Sequence, residues 1–260
     1  KMNSSVAAAD VDGGYIVEVD ARLDCYKGAD LDLQLTTPRG VPICIDTPDE
    51  DAATPAQIAF IKDFLMNAET AIYSAGGLGA VDQISFADWY LLQELFRNVD
   101  SMFYTSVFMW KDGSAAADPR HRALNLGPLW DFDRSAGNVD YNNGWQVEGC
   151  WVAKAQRPNW LAEMFKDPQF LALTLARWHQ KRDLIAQYLD ASIPAFSGRL
   201  ASAQVRNFER WPILGTHLTN YYTFATYAEE VNFVRDYLKA RMVWLDRAYA
   251  SPEAFEQLCR

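Results

Sequence analysis

The sequence predicts an α+β fold in which a small antiparallel sheet is followed by a mostly helical segment. Within the first fifty residues, apolar and polar side chains alternate in short runs that turn-forming residues separate, a pattern typical of β-strands. After residue 54 the apolar residues recur at the spacing of an α-helix. Half of the 260 residues are hydrophobic, which is enough for a sizeable buried core.

Three predicted strands lie in the amino-terminal part of the chain, at residues 14–20, 31–35 and 41–45. Each alternates large apolar with polar or β-branched side chains, and glycine or proline turns separate them. A further short strand is predicted at residues 123–126, where it leads into Gly127-Pro128. Together these segments predict the antiparallel sheet.

The first predicted helix begins at Thr54 and runs to about residue 74. Thr54 is a favourable N-cap, Pro55 suits the first helical position, and Gln57 completes a capping box. The helical segment is therefore predicted to begin immediately after the early strands.

The second predicted helix begins with Ser85 as its N-cap and has Asp88 in its first turn. Its apolar stripe is predicted to consist of Trp89, Leu92, Phe96, Val99 and Phe103. From Trp160 onward nearly all of the chain is predicted to be helical, with breaks near Pro194, Pro212 and Gly215.

Charge and hydropathy exclude two classes of partner. Acidic residues outnumber basic ones by 34 to 24, and the resulting net charge of −10 repels a phosphate backbone, so no nucleic-acid partner is predicted. No apolar run reaches the roughly 18 to 20 residues of a transmembrane helix, so no membrane span is predicted. Nucleoside triphosphates stay compatible with this charge, because divalent cations can bridge carboxylates and phosphates.

The four cysteines, Cys25, Cys44, Cys150 and Cys259, lack the close pairs that are typical of zinc sites. One or two disulfides in an exported protein and buried free thiols both fit this spacing. The sequence does not determine the pairing.

Two acidic positions, about thirty residues apart, are candidates for phosphate chemistry: Asp100, within or at the end of the second predicted helix, and Asp131 with Asp133 after a predicted strand. Phosphoryl transfer requires carboxylates that hold a metal ion on the phosphates and orient the attacking hydroxyl. Aspartates in turns also commonly accept hydrogen bonds from backbone amides, so a structural role is the alternative. The neighbouring Trp130 and Phe132 are predicted to belong to the core, and walls of a nucleotide pocket are the alternative.

Four separate pieces between residues 86 and 138 resemble one known family. They read FADWYLLQEL from Phe86, NVD from Asn98, MWKD from Met109, and GPLWDFD from Gly127 followed by Gly137-Asn138. The segments at 14–20, 37–40 and 241–246 are also similar to that family. The combination resembles the CotH family of spore-coat-type protein kinases.

The resemblance implies an atypical protein-kinase-like fold and phosphorylation of Ser or Thr in exported or coat proteins, with ATP and Mg²⁺ or Mn²⁺ as cofactors. It implies that Asp131 binds the metal, that Asp133 is a further metal candidate, and that Asp100 is the catalytic carboxylate that accepts the substrate proton. No residue is assigned to the nucleotide itself. Residues 1–260 are expected to form a single CotH-type domain that lacks the N-terminal lobe and lies at the cell surface or in the spore coat.

Two other functions fit the sequence. The first is a catalytically silent module for interaction or coat assembly, which the expected lack of an N-terminal lobe favours. The second is a carbohydrate-associated exported domain that uses Trp145, Trp151 and Trp160 for stacking. The sequence leaves the phosphoacceptor protein and the oligomeric state open.

Overall fold

The computed structural model describes residues 11–23, 25, 33–49, 51–74, 77–154 and 157–260. A five-stranded antiparallel sheet and several helices build this part of the chain, so the predicted α+β class is confirmed. The chain divides into two compact units. We call them the sheet unit (Lys1–Tyr90, Asp100–Asp131 and Ala153–Thr174) and the helical unit (Leu91–Val99, Phe132–Val152 and Leu175–Arg260). The single domain over residues 1–260 stays a prediction.

The sheet has the strand order β2-β3-β1-β4-β5, and all neighbouring strands are antiparallel. Its members are β1 (Tyr15–Val19), β2 (Gln34–Thr36), β3 (Pro42–Thr47), β4 (Val107–Lys111) and β5 (Asn125–Leu126). The predicted strand at 31–35 begins with two residues outside the described part of the chain. Strand β4, the neighbour of β1 in the sheet, was not among the predicted strands.

The sheet has one buried face and one partly open face. Along β1 the side chains of Tyr15, Val17 and Val19 are buried, whereas those between them are only half-buried. The strand β4 repeats this alternation, because successive side chains of a strand point to opposite faces. The buried face packs against α1 (Pro55–Ile72), where Phe60 stacks on Tyr15 with ring centroids 5.9 Å apart.

The capping box predicted for α1 is confirmed. The amide of Gln57 donates to the Thr54 hydroxyl at 3.3 Å, and the Gln57 side chain accepts from the Thr54 amide at 3.0 Å. Near the other end of the helix, the buried Glu69 carboxylate accepts hydrogen bonds from the Thr37 hydroxyl at 2.6 Å and the Trp160 indole at 2.9 Å. Glu69 thereby joins α1 to the turn between β2 and β3 and to α3 (Trp160–Met164).

Helix α2 (Gln83–Phe96) differs from its prediction at both ends. Asp82, rather than Ser85, provides the cap, because its carboxylate accepts from the Ser85 amide at 2.7 Å. At the other end, Arg97 is left-handed with φ 47°, and its amide donates to the Glu94 carbonyl. The next amide, of Asn98, donates to the Gln93 carbonyl, which completes a Schellman motif. The helix therefore stops before Val99 and Phe103, so the predicted stripe is wrong beyond Phe96.

The helical unit contains the greater part of α4 (Pro168–Arg210), together with α5 (Tyr227–Ala248) and α6 (Pro252–Cys259). Helices α4 and α5 run antiparallel, because Asp246 accepts from Trp178 at 2.9 Å and from Arg182 at 2.7 Å, whereas Phe208 contacts Tyr227. The predicted breaks near Pro212 and Gly215 are confirmed by the connection at 211–226.

The predicted break at Pro194 is wrong, because α4 continues through this residue. Proline removes one backbone donor and disturbs the preceding turn. The helical turns before and after Pro194 are nevertheless continuous in α4. Pro194 is exposed, so water can reach the carbonyl that loses its intrahelical partner.

All four cysteines are paired, which decides between the two alternatives left open by the spacing. Cys25 is bonded to Cys44 in the sheet unit, and Cys150 is bonded to Cys259 in the helical unit. The Cα atoms are 6.0 Å and 4.7 Å apart, respectively. Each unit therefore has its own covalent cross-link.

No helix in the described part of the chain is long and apolar enough to cross a membrane, as predicted.

Candidate functional site

Asp131 lies on the surface of the sheet unit, five residues after β5. The Gly127 amide donates to the Phe108 carbonyl at 2.9 Å, which continues the pairing of β5 with β4. The side chains from Pro128 to Asp131 are exposed, and Asp131 itself is left-handed with φ 55°. Aspartate tolerates this conformation better than most residues, since its short polar side chain can bond locally. The strand end thus presents an accessible carboxylate.

The carboxylate of Asp131 is joined to β1 through Ser106. The Ser106 hydroxyl lies 3.4 Å from Asp131 Oδ2, and its backbone amide donates to Glu18 Oε1 at 3.0 Å. Ser106, like Asp131, has a positive φ, at 58°. Such strained backbone persists only where the surroundings fix it, and it is concentrated at functional sites. Ser106 therefore positions two carboxylates on the same part of the sheet unit.

Further acidic side chains lie beside Glu18. Thr47 pairs with Ile16 and Ile45 pairs with Val17, so Asp46 is the extra residue of a β-bulge. Burial and the neighbouring Asp20 raise the pKa of Asp46. Burial likewise raises the pKa of Glu18, against the opposing hydrogen bond from Ser106, and Asp46 and Asp20 add to the increase. The folded protein therefore holds negative charge here at some cost in stability.

Because its pKa is raised on folding, Asp46 should make stability dependent on pH. The native state holds the proton more tightly than the unfolded chain, so stability falls as pH rises from the ordinary value of 3.8 through the raised native value. We expect Asp46→Asn to be more stable than the parent at about pH 7 and to lose this advantage in acid below the ordinary value. Denaturant titrations across this range measure the effect.

The matched control for this prediction is Asp63→Asn, which removes the same charge from an exposed position on α1. Its stability should follow that of the parent at every pH. Equal stability of Asp46→Asn and the parent at neutral pH would contradict the prediction.

Asp100 belongs to the sheet unit, as Asp131 does, but it is not helical. The prediction placed it within or at the end of the second helix, whereas α2 ends at Phe96 and Asp100 lies in the turns that follow. Its side chain is half-buried, between the buried residues Val99 and Ser101. Because the Schellman motif ends α2 at Phe96, the position of Asp100 depends on the turns that follow the helix. Helical periodicity in the sequence could not predict this position.

Asp133 lies two residues after Asp131, in the segment of the helical unit that begins at Phe132. Its carboxylate is exposed and forms an ion pair with Arg134 at 3.5 Å. Its backbone carbonyl accepts from the Asn138 side chain at 2.9 Å. These contacts shape the turn that follows Phe132.

The aromatic neighbours of Asp131 differ from each other. Trp130 was predicted to be core, but it is 59% exposed and touches Phe108 only edge-on, at a centroid distance of 6.1 Å. The prediction was wrong because Trp130 follows β5 on the partly open face of the sheet. Among the described residues of the sheet unit, no further helix or strand packs over its ring. Phe132 is half-buried against Phe96 in the helical unit, with ring centroids 5.2 Å apart.

The tryptophans considered for carbohydrate stacking do not form an exposed cluster. Trp151 and Trp160 are buried at 6% and 0% exposure, and their indoles donate to the Val99 carbonyl and to Glu69, respectively. Trp145 is half-buried and stacks on Tyr221 at 4.3 Å. The structure therefore gives no support to the carbohydrate function.

Lys111 in β4 lies on the buried face of the sheet, away from the half-buried Glu18. Its ammonium group donates to the carbonyls of Asp12 at 2.5 Å and Asp112 at 2.9 Å, and burial lowers its pKa. It packs over the rings of Phe60 and Phe64 on α1. This lysine is thus a structural member of the core.

Sequence reasoning missed Ser106 and Glu18 as members of the site. Alternation along residues 14–20 does place Glu18 on the face opposite Tyr15, Val17 and Val19, and this signal was available. Ser106 had no comparable signal, because β4 was not predicted and only the pairing of β4 with β1 brings Ser106 near Glu18.

The fold and the site together define an α+β protein with an accessible strand-end carboxylate, and comparison with known families gives the class. The model of the family described as CotH kinase protein matches residues 4–245, which is most of the chain. The chain belongs to this family. No curated protein and no solved structure matches the chain.

Proposed function

We propose that this chain is a metal-dependent protein kinase that transfers the γ-phosphoryl group of ATP to a Ser or Thr hydroxyl of a protein. The observation that carries the proposal is the exposed Asp131 carboxylate, which Ser106 and a left-handed backbone hold at the end of a strand. Membership of the CotH kinase protein family supports it. The kinase-like character of the fold is part of the same proposal.

The residues present are suitable for a magnesium or manganese ion shared with a nucleotide. Among the described residues, no three His, Cys, Asp or Glu side chains form a complete metal cage. In phosphoryl-transfer sites the ion is held by one or two carboxylates together with the phosphate oxygens of the substrate, so a cage is not required. Asp131 would hold the ion, which when bound neutralises the charge of the phosphates.

Asp100 would act on the phosphoacceptor. Its carboxylate accepts the proton of the substrate hydroxyl while the hydroxyl oxygen bonds to the γ-phosphorus and the bond from that phosphorus to the bridging β,γ-oxygen breaks. ADP leaves with the electron pair of the broken bond. Both carboxylates belong to the sheet unit, which is consistent with a shared site. Asp133 stays a further metal candidate.

An exported location, at the cell surface or in the spore coat, is part of the proposal. Disulfides persist in oxidising compartments and are rare in the cytosol, and all four cysteines of this chain are paired. The CotH family, which the sequence resembles, is associated with the spore coat. The substrates would then be exported proteins with accessible Ser or Thr residues.

Calorimetric titration of ATP into the full-length protein tests the proposed function. We expect binding with Mg²⁺ or Mn²⁺ and little or none without a metal, and transfer of labelled γ-phosphate to a protein hydroxyl under the same conditions. Absence of both binding and transfer would overturn the kinase proposal. It would favour the silent interaction or coat-assembly module, which keeps the scaffold without the chemistry.

A further inference from the structure

The helical unit contains a cavity of about 340 Å³ between the segment that follows Asp131 and the beginning of α5. This volume lies at the lower end of the range of small-ligand sites, about 300–1,000 Å³. Five of its lining residues are aromatic, and three pairs among these rings have centroids 5.1 to 5.3 Å apart. The aromatic lining residues are Phe96, Phe132, Tyr222, Phe224 and Phe233.

Gly137 allows the wall after Phe132 to approach α5 closely. Its φ is 82°, and a Cβ at this position would lie 2.8 Å from Phe233 Cζ and 3.0 Å from the ring of Tyr237. A larger residue would push this wall away from the helix. The close approach of this wall to α5 therefore depends on the glycine.

Two carboxylates accompany the aromatic lining. Glu230, near the beginning of α5, is half-buried, and Asp133 lies in the segment on the other side. Burial raises the pKa of Glu230 against a hydrogen bond from the Phe224 amide, and Glu229 adds to the increase. Within the described residues, no Lys or Arg forms an ion pair with Glu230. The Asp133 carboxylate forms an exposed ion pair with Arg134.

A positively charged group would interact favourably with both the aromatic rings and the carboxylates of this cavity. Aromatic faces attract cations, and a cation beside Glu230 favours the ionised carboxylate that burial disfavours. The net charge of −10 also favours a basic partner over an acidic one. A guanidinium group stacks on aromatic rings and pairs with carboxylates, and an ammonium group can do both less directionally.

We propose that this cavity binds the side chain of an arginine or lysine residue of the protein substrate. The proposal rests on the proposed kinase function for the identity of the occupant as a substrate. It predicts that the phosphorylated proteins have a basic residue that Glu230 and the aromatic walls recognise.

The test uses three probes on the full-length protein without ATP: the N-acetyl amides of arginine, lysine and citrulline. Citrulline has the shape of arginine but no charge. We expect the arginine or lysine probe to bind at least about tenfold more tightly than the citrulline probe, as measured by titration calorimetry or NMR. Equal binding of the citrulline and arginine probes would overturn the proposal, and so would failure of all three to bind.

Two variants locate the binding. Glu230→Gln removes the charge while keeping the size of the side chain, and it should weaken the binding of the arginine or lysine probe by about tenfold. Glu229→Gln is the matched control, because it removes a charge one residue away from the lining and still allows the capping box with Thr226. Full affinity in Glu230→Gln, in a variant that thermal unfolding shows to be folded, would contradict the assignment.

Failure of this proposal and failure of the kinase proposal give different results. Probe binding without metal-dependent ATP binding or phosphoryl transfer would support a basic-side-chain site and overturn only its assignment to a kinase substrate. Phosphoryl transfer without binding of any probe would overturn the cavity proposal and leave the proposed function standing.

Discussion

Asp131→Asn should lose metal-dependent ATP binding and reduce the rate of phosphoryl transfer by about a thousandfold or more. A metal ion on the phosphates supplies several kcal/mol of transition-state stabilisation, and about 1.4 kcal/mol corresponds to a factor of ten in rate. Asparagine retains the size of the side chain and also tolerates the left-handed backbone at this position. Calorimetry with ATP and Mg²⁺ and a transfer assay measure the two effects.

The fold should survive this substitution, because Asp131 is exposed. Surface substitutions of this kind usually change stability by less than about 0.5 kcal/mol. Asp100→Asn separates ATP binding from catalysis. This variant should still bind ATP, but its rate of phosphoryl transfer should fall by about 10²- to 10⁴-fold, as expected for removal of a general base. Unchanged ATP binding in Asp131→Asn would show that the metal is held elsewhere.

Glu94→Gln should reduce the stability of the protein by about 3–5 kcal/mol, because it leaves a buried arginine without its counter-charge. The side chains of Glu94 on α2 and Arg241 on α5 are both fully buried, with Arg241 Nη2 3.0 Å from Glu94 Oε1. Glu94 also accepts from the amides of Trp151 at 2.9 Å and Val152 at 2.8 Å. Chemical denaturation of the oxidised protein measures the loss.

The same measurement on a double-mutant cycle separates the pair from its surroundings. Arg241→Met should also be strongly destabilising, and the double variant should lose less than the sum of the two single losses, since neither charge of the pair is then left without the other. The exposed ion pair of Arg235 with Asp236, also on α5, is the control. Arg235→Gln should have no measurable effect. Additivity of the two buried substitutions would contradict the assumed coupling.

Local signals in the sequence predicted those parts of the fold that local interactions determine. Thr54, Pro55 and Gln57 define the start of α1 through contacts within four residues, and the structure has all of them. The alternation of β1 is likewise a property of the strand itself. The accessible position of Asp131 also agrees with the sequence, because it depends on a short strand that ends at Gly127-Pro128.

Features that depend on distant partners could not be predicted in this way. The Schellman end of α2 has arginine, rather than glycine, in the left-handed position, and buried contacts hold it: Arg97 donates to the carbonyls of Glu148 and Gly149 at 2.6 and 2.7 Å. The bulge at Asp46 depends on the pairing of β3 with β1. The contact of Ser106 with Glu18 depends on β4, whose neighbours are distant in sequence.

The disulfide between Cys150 and Cys259 has a topological consequence. It closes a ring of chain with a sequence separation of 109 residues, and this ring includes all of α4, all of α5 and the exposed connection at 211–226. A protease that cuts this connection opens the ring but does not divide the molecule, because each cysteine lies on a different side of the cut. A nicked protein of this kind would gain only the mass of one water molecule, and its two fragments would separate only after reduction.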